Sequence, residues 1–121
     1  MKGTEMPYRD RQQVERWVAD FLKTMPGLGD QVSVLDRDFI PGDDTGMVVV
    51  GLRGTSTVTY LQTMIVDGSP LWVAVFEPRR DPVELAAPAL GELARDLSDL
   101  ATLCRWLQRC TDEAMEKAAT R

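Results

Sequence analysis

Few side chains in this 121-residue chain are suited to chemistry. Asp36, Asp38, Asp43 and Asp44 crowd around a glycine-containing loop, and carboxylates so placed can hold a hard cation such as calcium or magnesium. Their spacing follows no EF-hand loop, and a solvated acidic loop is the simpler reading. Arg79 and Arg80, joined by Arg53, are the cationic counterpart. They form either an anion site at one end of a sheet or, more simply, a solubilising exit from its last strand. The chain has no histidine, so the side chain most used for proton transfer near neutral pH and for binding transition metals is missing. Serine and cysteine triads of the usual kind are thereby excluded. Cys104 and Cys110 lie six apart in one helical segment, about 120° apart around its axis, and cannot bridge within it. They read as reduced thiols acting as small apolar residues. Gly42, Gly51 and Gly54 fall between strands, so no glycine-rich phosphate loop precedes a helix. The expectation is a chain with no catalytic residues, no metal and no cofactor.

The elements that would position these groups follow from periodicity. Val14, Trp17, Val18, Phe21, Leu22 and Met25 mark one face of a helix that Asp10 caps and Pro26-Gly27 ends. Val32 and Val34 alternate with polar residues as in a strand. The apolar run from Met47 to Leu52 suits a central strand covered on both faces. Thr57 to Val66 and Leu71 to Phe76 are β-rich runs that Asp67-Gly68-Ser69-Pro70 joins as a hairpin. Pro78, Pro82 and Pro88 lead out of the sheet. A long helix then carries Leu90, Leu93, Leu97, Leu100, Cys104 and Leu107 at alternating steps of three and four. That stripe packs on the sheet or the first helix; otherwise Leu93, Leu97, Leu100, Cys104 and Leu107 form the interface of a dimeric helix pair. Trp72, Trp106 and Tyr60 read as packing residues.

The fold class is therefore α+β: an N-terminal helix, a three- to four-stranded, mostly antiparallel sheet, and a long C-terminal helix packed on it. One domain spans residues 1–121, with 1–8 and 112–121 expected to fray. At 44% hydrophobic and 27% charged residues, the composition is that of a chain that folds by itself. A net charge of −5 repels phosphate backbones, against nonspecific nucleic-acid binding. The first residues, MKGTEMPYRDRQQ, have no apolar segment of a signal peptide, and no run is long enough to span a membrane. A cytoplasmic location is expected.

Three segments carry a resemblance: VADFLKTMP (18–26), MIVDGSPLWVAVFEPRR (64–80) and LCRWLQR (103–109). Together they resemble small tail-terminator or minor capsid proteins of tailed phages and prophages of Gram-positive bacteria. In that family a first helix ends at a proline, a D-G-S hairpin leads into an aromatic strand, and a later helix carries a W-L pair. The resemblance spans residues 14–109 loosely; family members usually add further β structure where this chain reaches Arg121. It implies non-catalytic virion assembly, with self-associating subunits that close the tail tube or join it to the head. The contact elements it implies are Asp43 and Asp44 in the acidic loop, Asp67, Gly68 and Ser69 in the hairpin, and Arg79 and Arg80 at the strand exit. Two other readings use the same residues. One is a small dimeric adaptor, chaperone-like or immunity-type protein that holds a protein partner on its sheet. The other is a ligand sensor or enzyme with carboxylates and arginines in a pocket between helix and sheet.

Overall fold

The computed structural model describes residues 10–28, 31–36, 45–53 and 57–119. Helix α1 (Arg11–Thr24) starts where the Asp10 carboxylate accepts the Gln12 N–H at 3.0 Å and satisfies one orphan donor of the first turn. It ends at Met25, whose N–H bonds the Phe21 carbonyl, and a single 3-10 turn (Pro26–Leu28) follows. Its apolar face is the one its spacing predicts: Val14, Trp17, Val18 and Phe21 are buried.

Four strands, β1 (Val32–Asp36), β2 (Thr45–Val50), β3 (Thr59–Val66) and β4 (Ser69–Phe76), form an antiparallel meander in the order β1-β2-β3-β4. The β3-β4 register pairs Val66 with Ser69 through Thr59 with Phe76. Asp67 and Gly68 make the two-residue turn, with φ values of 51° and 80°. Glycine meets that demand without a Cβ penalty, and aspartate tolerates it better than most residues.

The final helix, α2 (Ala87–Ala119), is 33 residues long, about 50 Å at 1.5 Å per residue. It runs to Ala119, and Ala114 and Met115 pack against the core within its last part. Both helices lie on one face of the sheet, and the α+β class is as the sequence indicates. The core joins Val14, Trp17, Val18 and Phe21 of α1 to Val48, Val50, Leu61 and Trp72 of the sheet and to Leu100, Leu103 and Leu107 of α2. Each such side chain contributes about 1.5–3 kcal/mol by leaving water.

Two hydrogen-bonded tryptophans fix the layers. Trp106 donates its indole N–H to the Trp17 carbonyl at 2.9 Å, lies 6.1 Å from the Phe21 ring, and carries the Arg109 guanidinium 5.5 Å above its own ring, tying α2 to α1. Trp72 donates its indole N–H to the buried Thr111 hydroxyl at 2.8 Å, tying β4 to α2. Each of these bonds gives a large apolar ring a satisfied polar end, which a buried indole needs.

The helical stripe is internal to the fold. Leu100 and Leu107 are buried in the chain's own core, Leu93 packs on it, and the Cys104 thiol donates to the Trp72 carbonyl at 3.6 Å. Only Leu97, 38% exposed, is open among the five residues suggested for a helix pair. An interface built on Leu93, Leu97, Leu100, Cys104 and Leu107 is therefore not free to form, because the sheet already occupies that stripe. Among the described residues no helix is long and apolar enough to cross a membrane.

Candidate functional site: a buried ion pair and an open sheet face

Two features stand apart from ordinary packing. The first is a clamp where α2 meets the end of β2. Asp96 is 2% exposed. Its carboxylate accepts the Arg53 backbone N–H at 2.7 Å and the Arg53 guanidinium at 2.8 and 3.1 Å; the Gln31 amide lies at 3.4 Å. Gln31 also donates to the Gly51 carbonyl at 2.7 Å, and Gly51 N–H returns a bond of the same length to the Gln31 carbonyl. The segment after β2, the start of β1 and α2 are thus fastened at one carboxylate. Burial pushes the Asp96 carboxyl up, but the bonds from Arg53 and Gln31 outweigh it and hold the group below its ordinary value. The hydrogen bond to Asp96 likewise raises the Arg53 guanidinium.

A cleft of about 300 Å³ adjoins this clamp, lined by Met25, Leu28, Gln31, Arg53, Asp96 and Asp99 among others. It is the helix-sheet pocket that a sensor or enzyme reading requires. Two of its charged groups, however, Arg53 and Asp96, already face each other. Asp96 is ionised with its lone pairs engaged, so it is a poor base and has no proton to give near neutral pH. Arg53 is balanced by Asp96 and by Glu92 at 3.9 Å, so it does not add free positive charge to an anion site with Arg79 and Arg80. The geometry is that of a structural tie.

The second feature is the face of the sheet opposite the helices. Side chains alternate across a strand, so with Val48, Val50, Leu61 and Trp72 turned into the core, the other face carries Met47, Val49, Tyr60, Gln62, Met64, Val66, Leu71, Val73 and Val75. Among the described residues no element packs on it. Met64 is 49% exposed, Val66 42% and Leu71 43%. In the run from Met47, Val48 and Val50 are buried on the helix side, while Met47 and Val49 on the other face are half-buried with nothing among the described residues packed over them, where the continuous apolar character suggests cover on both faces. β2, β3 and β4 contain no charged residue at all. A solvated antiparallel face normally alternates to polar residues, and this one does not. At the middle of the patch Gln62 is the one residue, among the described ones, with a buried side-chain atom lacking a partner, its Oε1.

The edge beside that face is treated differently. Gln108 of α2 accepts the Trp72 N–H at 2.8 Å and donates to the Pro70 carbonyl at 3.1 Å, so a side-chain amide takes the place of a neighbouring strand. Pro70 itself has no N–H to offer. The first half of the β4 edge is thereby closed to strand addition, while the face remains open.

The chain matches no family model, no characterised protein and no solved structure. Of the contact residues expected from sequence, Asp67, Gly68 and Ser69 sit exposed at the hairpin tip, at one end of the open face. Arg79 and Arg80 are exposed beyond the other end, with the Arg79 Nε donating to the Asp81 carbonyl at 3.2 Å. Asp43 and Asp44, with Asp38 and the rest of the acidic loop, lie outside the described residues. Sequence reasoning missed Asp96, Gln31, Gln62 and Gln108. It also missed the open face, although the absence of charge from three successive strands was a visible signal of it.

Proposed function

We propose that this chain is a non-catalytic assembly protein that works by covering its open sheet face with another protein surface. The observation that carries the reading is the largely apolar face of β2, β3 and β4, strands that contain no charged residue, with Met64, Val66 and Leu71 about half-exposed and Tyr60 bonded to Glu77 at its far end. A soluble chain with 27% charged residues had every means to place a lysine or glutamate there. Contiguous exposed apolar surface of this kind marks interaction sites. The likeness of three segments to tail-terminator and minor capsid proteins supports a role in phage or prophage virion assembly, where subunits act by contact alone. An adaptor or chaperone-like protein would use the same face to hold its partner. In either case the clamp at Asp96 and the tryptophan ties make the sheet a rigid platform.

The test is the size of the native chain in extracts of its own cell. A tagged wild-type chain is expected to migrate well above its 13.5 kDa. Replacing Met64 and Leu71 together by lysine should return it to the monomer position without a large change in melting temperature, since both sites are exposed. Identical migration of the folded variant and the wild type would refute the reading.

A further inference from the structure

An antiparallel sheet has two edges, each a row of N–H and C=O groups able to bond another strand. Here the two are guarded unequally. β1 is five residues long, and its register with β2 shifts between Leu35 and Asp36; a short strand with a bulge is a poor template. On β4 the outward groups belong to the even-numbered residues. The Trp72 N–H and the Pro70 carbonyl bond Gln108, and the Trp72 carbonyl accepts the Cys104 thiol. The odd-numbered Glu77 turns its N–H inward, to the Val58 carbonyl. The β3-β4 register is unbroken, so the same alternation carries the N–H and C=O of Ala74 and Phe76 outward. Among the described residues nothing bonds them. Pro78, next in the outward series, has no N–H. The open window is therefore Ala74 and Phe76, closed on one side by Gln108 and Cys104 and on the other by a proline.

The helix side of this window is bare as well. α2 crosses the sheet on a diagonal: Asp96 bonds Arg53 just past the end of β2, whereas Gln108 reaches the outer edge of β4. The last residues of β4 lie beyond its cover. Ala74 and Phe76 point the same way as Trp72, toward the helices, yet Ala74 is exposed and Phe76 is 50% exposed. Leu97 and Ala101, which continue the stripe of Cys104 and Gln108 toward the start of α2, are exposed too.

We propose that a second copy of this chain fills the window, its β4 lying antiparallel beside this one about a two-fold axis at Val75. The register follows from which groups are open. Ala74 opposite the second copy's Phe76, and Phe76 opposite its Ala74, exchange two main-chain bonds per pair, and every group of the window in both copies is used. Beyond the window Trp72, whose groups are already bonded, falls opposite a proline that has no N–H to offer. The gaps in the two edges thus face each other, whereas a longer foreign strand would meet both unanswered. Shifting the axis loses this match: at Ala74 it sets Phe76 against the engaged Trp72, and at Phe76 it sets Ala74 against Pro78. The side chains agree with the register. Phe76 lies opposite an alanine twice, which leaves room for the ring on the helix side. Glu77, held by the Tyr60 hydroxyl at 3.0 Å, falls opposite Val73, so no like charges oppose each other in the paired segment. The contact is at the low end of specific interfaces, under about 1,200 Å² in all, so it forms at high concentration and comes apart in a dilute extract. It joins two sheets edge to edge and leaves the open face uncovered, and so goes beyond the assembly reading above.

Val75→Cys in the full chain tests the register. Residues opposite each other in a non-hydrogen-bonded pair have Cα atoms about 4.5 Å apart, within disulfide reach, so mild oxidant should link two variant chains. Val73→Cys faces the same side but stands about 14 Å from its equivalent in the second copy, and should link at least about tenfold more slowly. Sedimentation of the wild type should show the mass rising from 13.5 kDa toward twice that value between about 10 μM and 1 mM. Ala74→Pro removes an outward N–H and no bond to β3; it should keep the circular dichroism of the wild type and weaken pairing at least about tenfold. Equal linking of the two cysteine variants, a wild type monomeric up to about 1 mM, or a folded Ala74→Pro chain that pairs as the wild type does would each overturn the proposal. Linking of Val75→Cys that persists with Met64→Lys and Leu71→Lys belongs to the edge; linking lost there would place the pair on the face and sink the edge proposal. Slow linking beside unchanged wild-type migration in extract would end this proposal and leave the assembly reading standing.

Discussion

Replacing Arg53 by methionine keeps most of the aliphatic bulk but removes the guanidinium from Asp96. The carboxylate loses its bonds at 2.8 and 3.1 Å and keeps the Arg53 backbone N–H at 2.7 Å and the weaker contact to Gln31. Breaking a buried pair by removing one partner costs about 3–5 kcal/mol. Because Arg53 is half-exposed while Asp96 is 2% exposed, solvent screens the pair and the cost falls below that range. The melting temperature should still fall by roughly 5 °C. The reverse change, Asp96→Ala, leaves a guanidinium that reaches water and should cost less.

The pH dependence gives the sharper check. In the wild type the Asp96 carboxyl is held below its unfolded value, so its contribution is present above about pH 4 and is lost as pH falls further. In Arg53→Met burial prevails and the folded carboxyl rises above the unfolded value, so the variant gains stability on acidification from pH 7 toward pH 4. The gap between the two proteins should narrow by about 1.4 kcal/mol for each unit of that rise. Urea melts at pH 7 and pH 4.5 measure it. A loss under about 1 kcal/mol at pH 7, or a gap that does not narrow in acid, would refute the account of Asp96 as a buried charge held by Arg53.

Gln108→Ala opens the Trp72 N–H and the Pro70 carbonyl; it should cost about 1–2 kcal/mol and raise light scattering on storage, because the β4 edge loses its cover. Trp72→Phe removes the bond to the buried Thr111 hydroxyl and should lower stability by about 2 kcal/mol in denaturant melts, whereas Thr111→Val in the same background should add little. Gly68→Ala, at a φ of 80°, should cost about 1 kcal/mol without changing the fold by circular dichroism. Burial and the nearby Glu113 and Asp20 carboxylates push the Cys110 thiol up to about 11 against the opposing Arg109, so it should react with alkylating reagents at pH 8 more than tenfold slower than an unfolded control, as rough order.

The helices, the hairpin and the layer order were legible because each rests on local spacing. The α1 stripe and its Asp10 cap, the Asp67-Gly68 turn and the recurring leucines of α2 are all contained in short windows. What escaped was non-local. Asp96 sits between Arg95 and Leu97 on a helix and reads as a solvated carboxylate until the fold brings Arg53, 43 residues away, and Gln31, 65 residues away, to it. Gln108 reads as a surface glutamine until β4 lies beside it. The run from Met47 to Leu52 looks like a strand buried on both faces because periodicity reports apolar character and not what covers it. The helices of this chain cover one side only, and the difference between those two sides is the basis of the functional proposal.

The central claim, that another protein surface covers the open face, is tested most directly by the oxidation of Met64. The residue is 49% exposed in the single chain, and sulfoxide formation follows access. Peptide mass spectrometry after a brief oxidant pulse compares the chain inside its cell with the purified chain at high dilution, with Met115 at the far end of α2 as reference. The account predicts that Met64, relative to Met115, is oxidised at least several-fold more slowly in the cell. Equal rates in both settings would show the face to be bare where the protein works, and would contradict it.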